Sequence, residues 1–245
     1  MKRMNSHSNK ILIVLPAYNE TGKVGRVVEK IKATGFDATI MVVDDCSSDG
    51  TSDEAEKAGA IVLRHEKNRG VGAAIRTGIL YGIENGYDIC TVLSSDDQHE
   101  PNELSRVVTP VVNDDYDFIQ GSRRMKGGRV VNDQPFRKIT TQLYSFLLSF
   151  LVGWRITDAT NGFRAFRLSI FEYPDININQ EWLDRYELEP YILFKAIKNK
   201  KIRFAEVPIT IYYHQETKQY SKMRPFIDWW KLARPLVYLG LRIKK

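Results

Sequence analysis

Cysteine is scarce in this chain, and long apolar runs are missing from it. The two cysteines, Cys46 and Cys90, lie far apart without metal-ligand spacing, which excludes a disulfide framework and indicates a reducing compartment. No stretch of about eighteen consecutive apolar residues occurs, so no membrane-spanning helix is expected. Residues 1–10 are polar and lack the apolar centre of a secretory signal, so we expect them to form a flexible lead-in.

The net positive charge of the chain comes from its last segment. Residues 222–245 contain seven basic residues and one acidic residue, and this excess equals the net charge of +6 of the whole chain. The segment also holds tryptophan, tyrosine and leucine, a composition typical of a helix lying in a lipid headgroup layer. The alternative is a C-terminal helix docked on the body of the protein. No nucleic-acid-binding module accompanies the charge, so a nucleic-acid partner is not expected.

Strands and helices alternate at short spacing in the first part of the chain. Short apolar runs read as buried strands at residues 11–15, 40–43, 60–63 and 89–93. Segments with helical patterns separate them, and this alternation predicts βαβ units and a mostly parallel central sheet flanked by helices. A hydrophobic content of 43% over 245 residues is enough for a substantial core. We therefore expect an α/β domain over 11–221 and an amphipathic helical tail over 222–245.

The second part of the chain has a less regular pattern. Further elements are expected as a strand at 118–121, a helix at 138–152, a turn at 161–166, a helix at 182–198 and a strand at 202–213. Pro208 breaks the last strand and favours a sheet edge. The helix at 138–152 is strongly apolar but too short to span a bilayer, so it either belongs to the core or lies at a membrane interface.

Polar side chains directly follow two of the predicted strands. Residues 94–99 read Ser-Ser-Asp-Asp-Gln-His, and Asp44 and Asp45 end the strand at 40–43. The carboxyl ends of parallel strands border the ligand crevice of an open sheet, where oxygen ligands suit a divalent cation that holds phosphate. Repulsion between the carboxylates predicts a metal, or a base with donor groups, between them. Acidic surface turns that merely end the strands are the alternative.

Two glycine-containing loops and one histidine complete the candidate site. Gly70-Val71-Gly72 is not a dinucleotide fingerprint, because the third glycine and the strand-adjacent spacing are missing. Residues 122–128, Ser-Arg-Arg-Met-Lys-Gly-Gly, predict a flexible basic loop that meets phosphate. His99 is expected to be a structural hydrogen-bonding group, because no partner that would make it a base is evident.

A series of short motifs occurs in a fixed order along the chain. They are Pro-Ala-Tyr-Asn-Glu at 16–20, Val-Asp-Asp-Cys-Ser-Ser-Asp-Gly-Thr at 43–51, Asn-Arg-Gly-Val-Gly-Ala at 68–73, Ser-Ser-Asp-Asp-Gln-His at 94–99, Gly-Ser-Arg at 121–123 and Glu-Val-Pro-Ile at 206–209. Together they resemble the motifs of family 2 glycosyltransferases. The likeness runs from about residue 11 to residue 222, and it is strongest to the dolichyl-phosphate mannose synthase and polyprenyl-phosphate glycosyltransferase branch.

The resemblance implies a GT-A, Rossmann-like fold with a catalytic domain over 11–221. It implies inverting transfer of a hexose from a nucleotide-diphosphate sugar, of the GDP-mannose or UDP-glucose type, to polyprenyl or dolichyl phosphate. It also implies Mg²⁺ or Mn²⁺ as cofactor and a cytoplasmic enzyme, peripheral on the inner face of the cell membrane, with an integral-membrane partner as one option.

The resemblance also implies roles for individual residues. The nucleotide-sugar site would comprise Pro16, Ala17, Tyr18, Glu20, Val43, Asp45, Ser94, Ser95, Asp96, Gln98 and Arg123. The metal would be bound by Asp96, Gln98 and Ser94. The catalytic residues would be Asp96, Asp97, Arg123, Arg137 and Lys222, with Arg123 on the sugar-side phosphate and both Arg137 and Lys222 facing the acceptor phosphate.

Ser94 departs from the family's metal motif, and two alternatives to the implied function stay open. The family's metal motif usually reads Asp-x-Asp, whereas this chain has Ser94 at the first position, so a neutral hydroxyl replaces a charged ligand. The alternatives are a soluble or cell-surface glycan acceptor and a catalytically weak nucleotide-sugar-binding protein. A hydroxyl acceptor would require a general base, with Asp97, Asp158 and Glu189 as candidates, whereas a phosphate acceptor is already ionised at neutral pH.

Overall fold

The computed structural model of the protein describes residues 9–213, 227–241 and 243–244. The strands are β1 (Ile11–Ala17), β2 (Thr39–Asp44), β3 (Ile61–Arg64), β4 (Ile89–Val92), β5 (Phe118–Ser122), β6 (Arg129–Val131), β7 (Arg164–Arg167), β8 (Phe204–Pro208) and β9 (Thr210–Tyr212). The helices are α1 (Val24–Ala33), α2 (Thr51–Lys57), α3 (Val71–Glu84), α4 (Leu104–Val112), α5 (Pro135–Val152), α6 (Leu188–Lys198) and α7 (Ile227–Gly240). Short 3-10 helices lie at Pro101–Glu103, Leu168–Glu172 and Glu181–Leu183.

The central sheet has seven strands in the order β3-β2-β1-β4-β7-β5-β8. β1 pairs in parallel with β2 and β4, and β2 pairs in parallel with β3. β7 runs antiparallel between β4 and β5, and β8 pairs in parallel with β5 at the sheet edge. The carboxyl ends of β1, β2, β4 and β5 therefore share one edge of the sheet. The expected α/β fold with a mostly parallel central sheet is confirmed.

Helices bury both faces of this sheet. In β1, Leu12 and Val14 join the core cluster to which α3, α5 and α6 contribute, whereas Ile13 and Leu15 join the cluster to which α1 and α4 contribute. All of these β1 side chains are fully buried. A strand covered on both faces has no solvent side, which explains why the sequence shows continuous apolar runs here rather than alternation.

The prediction of a turn at 161–166 is wrong for its second half. Arg164–Arg167 forms β7, an antiparallel strand in the interior of the sheet. The sequence concealed this strand because arginines stand at both of its ends. Arg164 is nevertheless only 2% exposed. Burial is tolerated because Asn161 O accepts one of its N–H groups and the Glu189 carboxylate lies 3.0 Å from Nη2.

The helix predicted at 182–198 begins only at Leu188. The backbone just before it lies against the start of α3. A Cβ on Gly72 would stand 2.1 Å from Leu183 O and 2.4 Å from Arg185 O. Only glycine permits this approach, and the contact holds the preceding segment in an irregular path outside the helix.

The described part of the basic tail forms α7 and packs on the body. Leu239 is buried, and Arg234 forms an ion pair with Glu187, which is 0% exposed. Burial raises the pKa of Glu187, so the carboxylate depends on its cationic partner. Of the two arrangements that the sequence left open, these residues of α7 adopt the docked one. Lys222 lies outside the described residues.

Helix α5 is buried on one side and apolar but exposed on the other. Tyr144 and Leu148 pack into the core. The opposite side exposes a row of large apolar side chains, the apolar face of α5, which consists of Phe136, Ile139, Leu143, Phe146, Leu147 and Phe150. Phe150 is the most exposed of them, at 81%. Within the ranges that the structure describes, no helix combines the length and apolar character that crossing a membrane requires.

Candidate active site

The turns that follow β1, β2 and β4 meet at the carboxyl edge of the sheet. β1 lies between the other two strands, and its Pro16 is in register with Val43 of β2. Asp45 N donates to Ala17 O at 2.8 Å, and Ser95 Oγ donates to Pro16 O at 2.7 Å. The structure thus brings together residues that the sequence assigned to the nucleotide site on three separate strands.

Hydrogen bonds tie the turn after β1 to the turn after β2. Asn19 N donates to Ser47 Oγ at 2.9 Å, and Glu20 N donates to Thr51 Oγ1 at 2.8 Å. Asn19 has a φ of 52°, a left-handed conformation that asparagine tolerates better than most residues. Beside this fixed turn the Tyr18 ring is 40% exposed, which leaves an aromatic surface at the edge of the sheet.

Asp44 is a structural residue. It is fully buried, and its carboxylate accepts hydrogen bonds from Ser47 N at 2.8 Å and from Ser52 Oγ. A buried carboxylate needs such donors, since its desolvation is otherwise costly. These contacts close the turn after β2 and attach it to the start of α2.

Asp45 is compensated as well, by the loop that leads into α3. Its oxygens accept from Arg69 N at 2.8 Å and from Gly70 N at 2.7 Å. His65 Nδ1 lies 2.7 Å from Asp45 Oδ1, and His65 Nε2 lies 2.9 Å from Thr77 Oγ1. Asp44 and Asp45 therefore both have hydrogen-bond donors from the protein, which hold their carboxylates in place at this edge of the sheet.

The turn after β4 alternates between two environments. Ser94, Asp96 and Gln98 are half-exposed. Ser95, Asp97 and His99, which alternate with them, are buried. Gln98 N donates to Asp96 Oδ1 at 3.2 Å. Asp97 has a φ of 64°, and its carboxylate lies 2.6 Å from Lys30 Nζ of α1. The predicted metal ligands thus share the accessible side of the turn, whereas Asp97 is paired with α1.

His99 is a buried neutral group that orients Ser94. Ser94 N donates to His99 Nδ1 at 3.0 Å, so this nitrogen carries no proton, and Nε2–H donates to Asn161 Oδ1 at 3.0 Å. Burial lowers the pKa of His99 to about 4. The Ser94 hydroxyl, 2.8 Å from the same Nδ1, can only donate to it, which leaves the lone pairs of Oγ for another partner. These contacts agree with the structural role predicted for His99.

The accessible side of this turn offers the donor atoms that a hard divalent cation prefers. The Asp96 carboxylate, the Gln98 amide oxygen and the Ser94 hydroxyl are all oxygen ligands. Only one of them is charged, and the described part of the chain has no cluster of three or more His, Cys, Asp or Glu side chains suited to a metal. The set fits a cation that also receives oxygens from a bound phosphate.

Arg123, at the end of β5, is held by the protein interior. Its Nε lies 2.8 Å from Asp158 Oδ2, its Nη1 donates to the Tyr213 hydroxyl at 2.7 Å, and its Nη2 donates to Thr160 Oγ1 at 2.5 Å. Burial acts to lower the pKa of Arg123, but Asp158, Tyr213 and Asp133 together outweigh it and the pKa is raised. Arg123 thus brings positive charge to this edge of the sheet. The partners of its guanidinium named here are all protein groups.

The basic segment at 122–128 is a tight turn. Gly128 N donates to Met125 O at 2.9 Å, and Arg124 forms an ion pair with Asp133. These two contacts stabilise the turn and give Arg124 an acidic partner. The predicted flexibility of the loop and its contact with phosphate stay predictions.

Arg137 lies in the first turn of α5, beside Arg123. Its guanidinium carbon is 4.4 Å from the centroid of the Tyr213 ring, within the range of a cation–π contact. Since Arg123 donates to the hydroxyl of the same tyrosine, the two arginines assigned to phosphate groups share one side chain. Lys222, assigned to the acceptor phosphate with Arg137, lies outside the described residues.

Sequence reasoning gave no role to three residues of this region. His65 holds Asp45, Tyr213 joins the two arginines, and Glu206 accepts from Thr157 N at 2.9 Å and from Asp158 N at 3.1 Å. The sequence did hold a signal for Glu206, because a carboxylate inside an apolar strand needs donors. It held none for His65 or Tyr213, whose partners lie far along the chain.

Comparisons with known proteins show the family of the chain. The chain matches the family described as Glycosyl transferase family 2 over residues 12–173. It is 33% identical over 221 residues to the UDP-N-acetylglucosamine–dolichyl-phosphate N-acetylglucosaminyltransferase of Methanococcus voltae, which covers 82% of this chain and 86% of that protein. It is 31% identical over 206 residues to the undecaprenyl-phosphate mannosyltransferase of Micrococcus luteus, with 82% and 83% covered.

A solved structure shares the fold. Glucosyl-3-phosphoglycerate synthase from Mycobacterium tuberculosis, crystallised with Mn²⁺, UDP-glucose and phosphoglyceric acid, superposes with a TM-score of 0.69 at 17% identity. The match covers 96% of this chain and 79% of that one. Together with the mostly parallel sheet, this likeness shows a GT-A type fold.

The chain belongs to glycosyl transferase family 2. It is therefore an enzyme that transfers a sugar. The resemblance of its motifs to the dolichyl-phosphate and polyprenyl-phosphate branch is also confirmed, because relatives of that branch match most of the chain.

Proposed function

We propose that this glycosyltransferase moves a hexose from a nucleotide-diphosphate sugar to a polyprenyl or dolichyl phosphate, with inversion at the sugar carbon. The observation that carries the proposal is the meeting of the Asp45 and Asp96 turns on either side of β1, in a family 2 chain. The names of the Methanococcus and Micrococcus relatives support a lipid phosphate as acceptor.

The nucleoside would lie against the turns after β1 and β2. Tyr18 offers an exposed aromatic ring, and Asp45 Oδ2 accepts from Gly70 N while retaining a lone pair for an N–H of a base such as uracil or guanine. His65 and the loop to α3 fix the Asp45 carboxylate before the nucleotide arrives. The remaining wall would be formed by Pro16, Ala17, Glu20, Val43 and Ser95.

A divalent cation, Mg²⁺ or Mn²⁺, would be held by Ser94, Asp96 and Gln98. When bound, such a cation neutralises the charge that develops on the departing diphosphate. Asp96 supplies the full negative charge, and Gln98 supplies a neutral oxygen from the same turn. Ser94 takes part through the lone pairs that its bond to His99 leaves available.

A phosphate acceptor agrees with the state of the carboxylates around the site. It is ionised at neutral pH and attacks the sugar carbon opposite the leaving group, so it needs no strong general base. Asp97 lies 2.6 Å from Lys30 Nζ, and Asp158 lies 2.8 Å from Arg123 Nε. A hydroxyl acceptor would have to use a carboxylate that already has a cationic partner. We assign the acceptor phosphate to Arg137, with Lys222 as its second cation.

A lipid acceptor stays in the bilayer, so the enzyme must reach the membrane surface. The apolar face of α5 supports this location, because Phe146 and Phe150 are 67% and 81% exposed and no element among the described residues covers them. The basic charge of residues 222–245 favours an anionic leaflet, as on the cytoplasmic side of a cell membrane. We therefore propose a peripheral enzyme on the inner face, bound through the apolar face of α5.

The test is a donor and acceptor screen with the full chain. UDP-glucose, GDP-mannose and UDP-N-acetylglucosamine are each offered with farnesyl phosphate, a short polyprenyl phosphate, and Mg²⁺, Mn²⁺ or a chelator. We expect a glycosyl farnesyl phosphate of inverted configuration, detected by mass spectrometry and NMR. The product should be lost with the chelator and in Asp96→Asn.

Two controls make the screen decisive. Asp115→Asn changes an exposed carboxylate outside the site and should leave the rate at that of the wild type. A parallel arm offers soluble oligosaccharides in place of farnesyl phosphate. Transfer to the oligosaccharides alone would contradict the proposed acceptor and support the glycan alternative.

A further inference from the structure

We infer that Tyr213 is a positioning residue that holds Arg137 in place for the acceptor phosphate. The inference rests on the proposed function, since it concerns the acceptor half of that site. It starts from one observation: Tyr213 contacts both arginines of the region, Arg123 through its hydroxyl at 2.7 Å and Arg137 through its ring at 4.4 Å.

Tyr213 is itself firmly fixed. The residue is only 3% exposed. Its backbone N–H donates to Val131 O at 3.0 Å, and its backbone oxygen accepts from Asn132 Nδ2 at 3.0 Å. The Arg123 bond then fixes the hydroxyl end of the ring. Because Tyr213 is fixed at its backbone and at its hydroxyl, its ring presents a fixed surface to Arg137.

Arg137 is the more exposed half of the contact. It is half-exposed in the first turn of α5, where the preceding residue, Phe136, is 62% exposed. A guanidinium stacked on a ring uses its flat face, whereas its N–H groups point outward in the plane of the group. Stacking on Tyr213 therefore fixes the direction of these N–H groups and reduces the conformational freedom that a phosphate would otherwise have to remove.

Tyr213 contacts two arginines that lie in different surroundings. Arg123 is buried and forms an ion pair with Asp158. Arg137 contacts the ring of the same tyrosine from a half-exposed position, where the acceptor would arrive. The hydroxyl and the ring of Tyr213 therefore contact different arginines, and substitutions that remove one or both of them are expected to have different effects.

Two substitutions at this position distinguish the two contacts. Tyr213→Phe keeps the ring under Arg137 and removes only the hydroxyl bond to Arg123, whereas Tyr213→Leu removes both. Tyr212→Leu is the matched control, since Tyr212 is the neighbouring tyrosine, 36% exposed, on the other face of β9. Arg137→Ala provides the background in which an effect transmitted through Arg137 must vanish.

The measurements are calorimetric titrations of each full-chain variant with farnesyl phosphate and, separately, with UDP or GDP and Mn²⁺, followed by steady-state KM and kcat. We expect Tyr213→Leu to weaken farnesyl phosphate binding and raise its KM about fivefold, with nucleotide affinity unchanged. Tyr213→Phe should restore acceptor binding, and Tyr213→Leu should have no further effect in the Arg137→Ala protein.

Several outcomes would overturn the inference. The first is a Tyr213→Phe protein that binds farnesyl phosphate as weakly as Tyr213→Leu does. The second is an equal loss of affinity for farnesyl phosphate and for the nucleotide in Tyr213→Leu. The third is a loss of acceptor affinity by Tyr213→Leu that persists in full in the Arg137→Ala protein. If Tyr213→Leu does not fold, Arg137→Lys tests the same contact from the helix surface, because lysine keeps the charge but lacks the flat guanidinium. Wild-type acceptor affinity in Arg137→Lys would then contradict the inference.

Failure of the proposed function has a different signature. In that case the wild-type protein itself neither binds farnesyl phosphate nor glycosylates it. A wild-type protein that does both, with no selective effect of Tyr213→Leu on the acceptor, would contradict the role of Tyr213 and leave the function standing.

Discussion

Asp158 and Arg123 form a two-point ion pair inside the protein, with Nε 2.8 Å from Oδ2 and Nη2 donating to Oδ1 at 3.2 Å. Asp158 is 0% exposed, and its backbone N–H is held by Glu206. The pair joins the end of β5 to the segment that follows α5. It therefore supports the edge of the sheet on which the acceptor side of the site is built.

Asp158→Ala should destabilise the protein strongly. The substitution leaves Arg123 buried without its anionic partner, which typically costs about 3–5 kcal/mol in the free energy of unfolding. Urea denaturation measures this value. The control is Arg106→Ala, which removes a partly exposed pair with Glu103 at 3.0 Å and should cost about 1 kcal/mol or less. Equal losses in the two variants would contradict a structural role for Asp158.

The burial of His99 in its neutral form is expected to make the protein less stable in mild acid. Its pKa in the folded protein is about 4, below the ordinary value of 6.5. The folded state thus binds the proton less readily than the unfolded chain, so the stabilisation is complete above about pH 6.5 and declines as the pH falls towards 4. Relative to His99→Gln, the wild-type free energy of unfolding should fall by up to about 3 kcal/mol over this range.

The measurement for His99 is a series of urea titrations at different pH values, without metal or nucleotide. Comparison with His99→Gln cancels the contribution of the other titrating groups. Parallel pH profiles for the two proteins would show that His99 is not the neutral buried group described above.

Gly72→Ala should destabilise the contact between α3 and the segment before α6. The new Cβ would stand 2.1 Å from Leu183 O, so backbone must move, at a cost of about 1–3 kcal/mol or more. Gly86→Ala is the control for backbone strain alone, because Gly86 has a φ of +67° but open space around it. It should cost about 1 kcal/mol. A smaller loss for Gly72→Ala than for Gly86→Ala would contradict the close approach.

The apolar face of α5 predicts membrane binding that a surface substitution on this face weakens. Phe150→Ser removes an 81% exposed ring, so it should weaken sedimentation with anionic liposomes at low salt while leaving the melting temperature unchanged. Ile83→Ser, which changes a 43% exposed apolar residue on α3, is the control and should bind as the wild type does. Unaltered liposome binding of Phe150→Ser would exclude α5 as the membrane surface.

The strands of the first part of the chain could be predicted from the sequence because their signal is local. A strand buried on both faces, such as β1, is a continuous apolar run ending in polar turn residues. β7 could not be predicted in this way. Its Arg164 is buried only because Asn161 and Glu189 supply acceptors, and the Glu189 contact comes from a distant part of the chain.

The candidate site was predictable in its position and less so in its electrostatics. The polar turns at strand ends located Asp45 and Asp96 correctly at one edge of the sheet. The sequence did not show that Asp45 is compensated by His65 and Asp97 by Lys30. Nor did it show that Arg123 is paired with Asp158, since each of these partners lies on a different element.

The central claim is that the turns carrying Asp45 and Asp96 bind an activated sugar, and a crystal structure of the protein soaked with a nucleotide-diphosphate sugar and Mn²⁺ tests it most directly. The account predicts an anomalous Mn²⁺ peak beside Asp96 and Gln98, with the base between Tyr18 and Asp45. A nucleotide bound elsewhere, away from both Asp45 and Asp96, would contradict it.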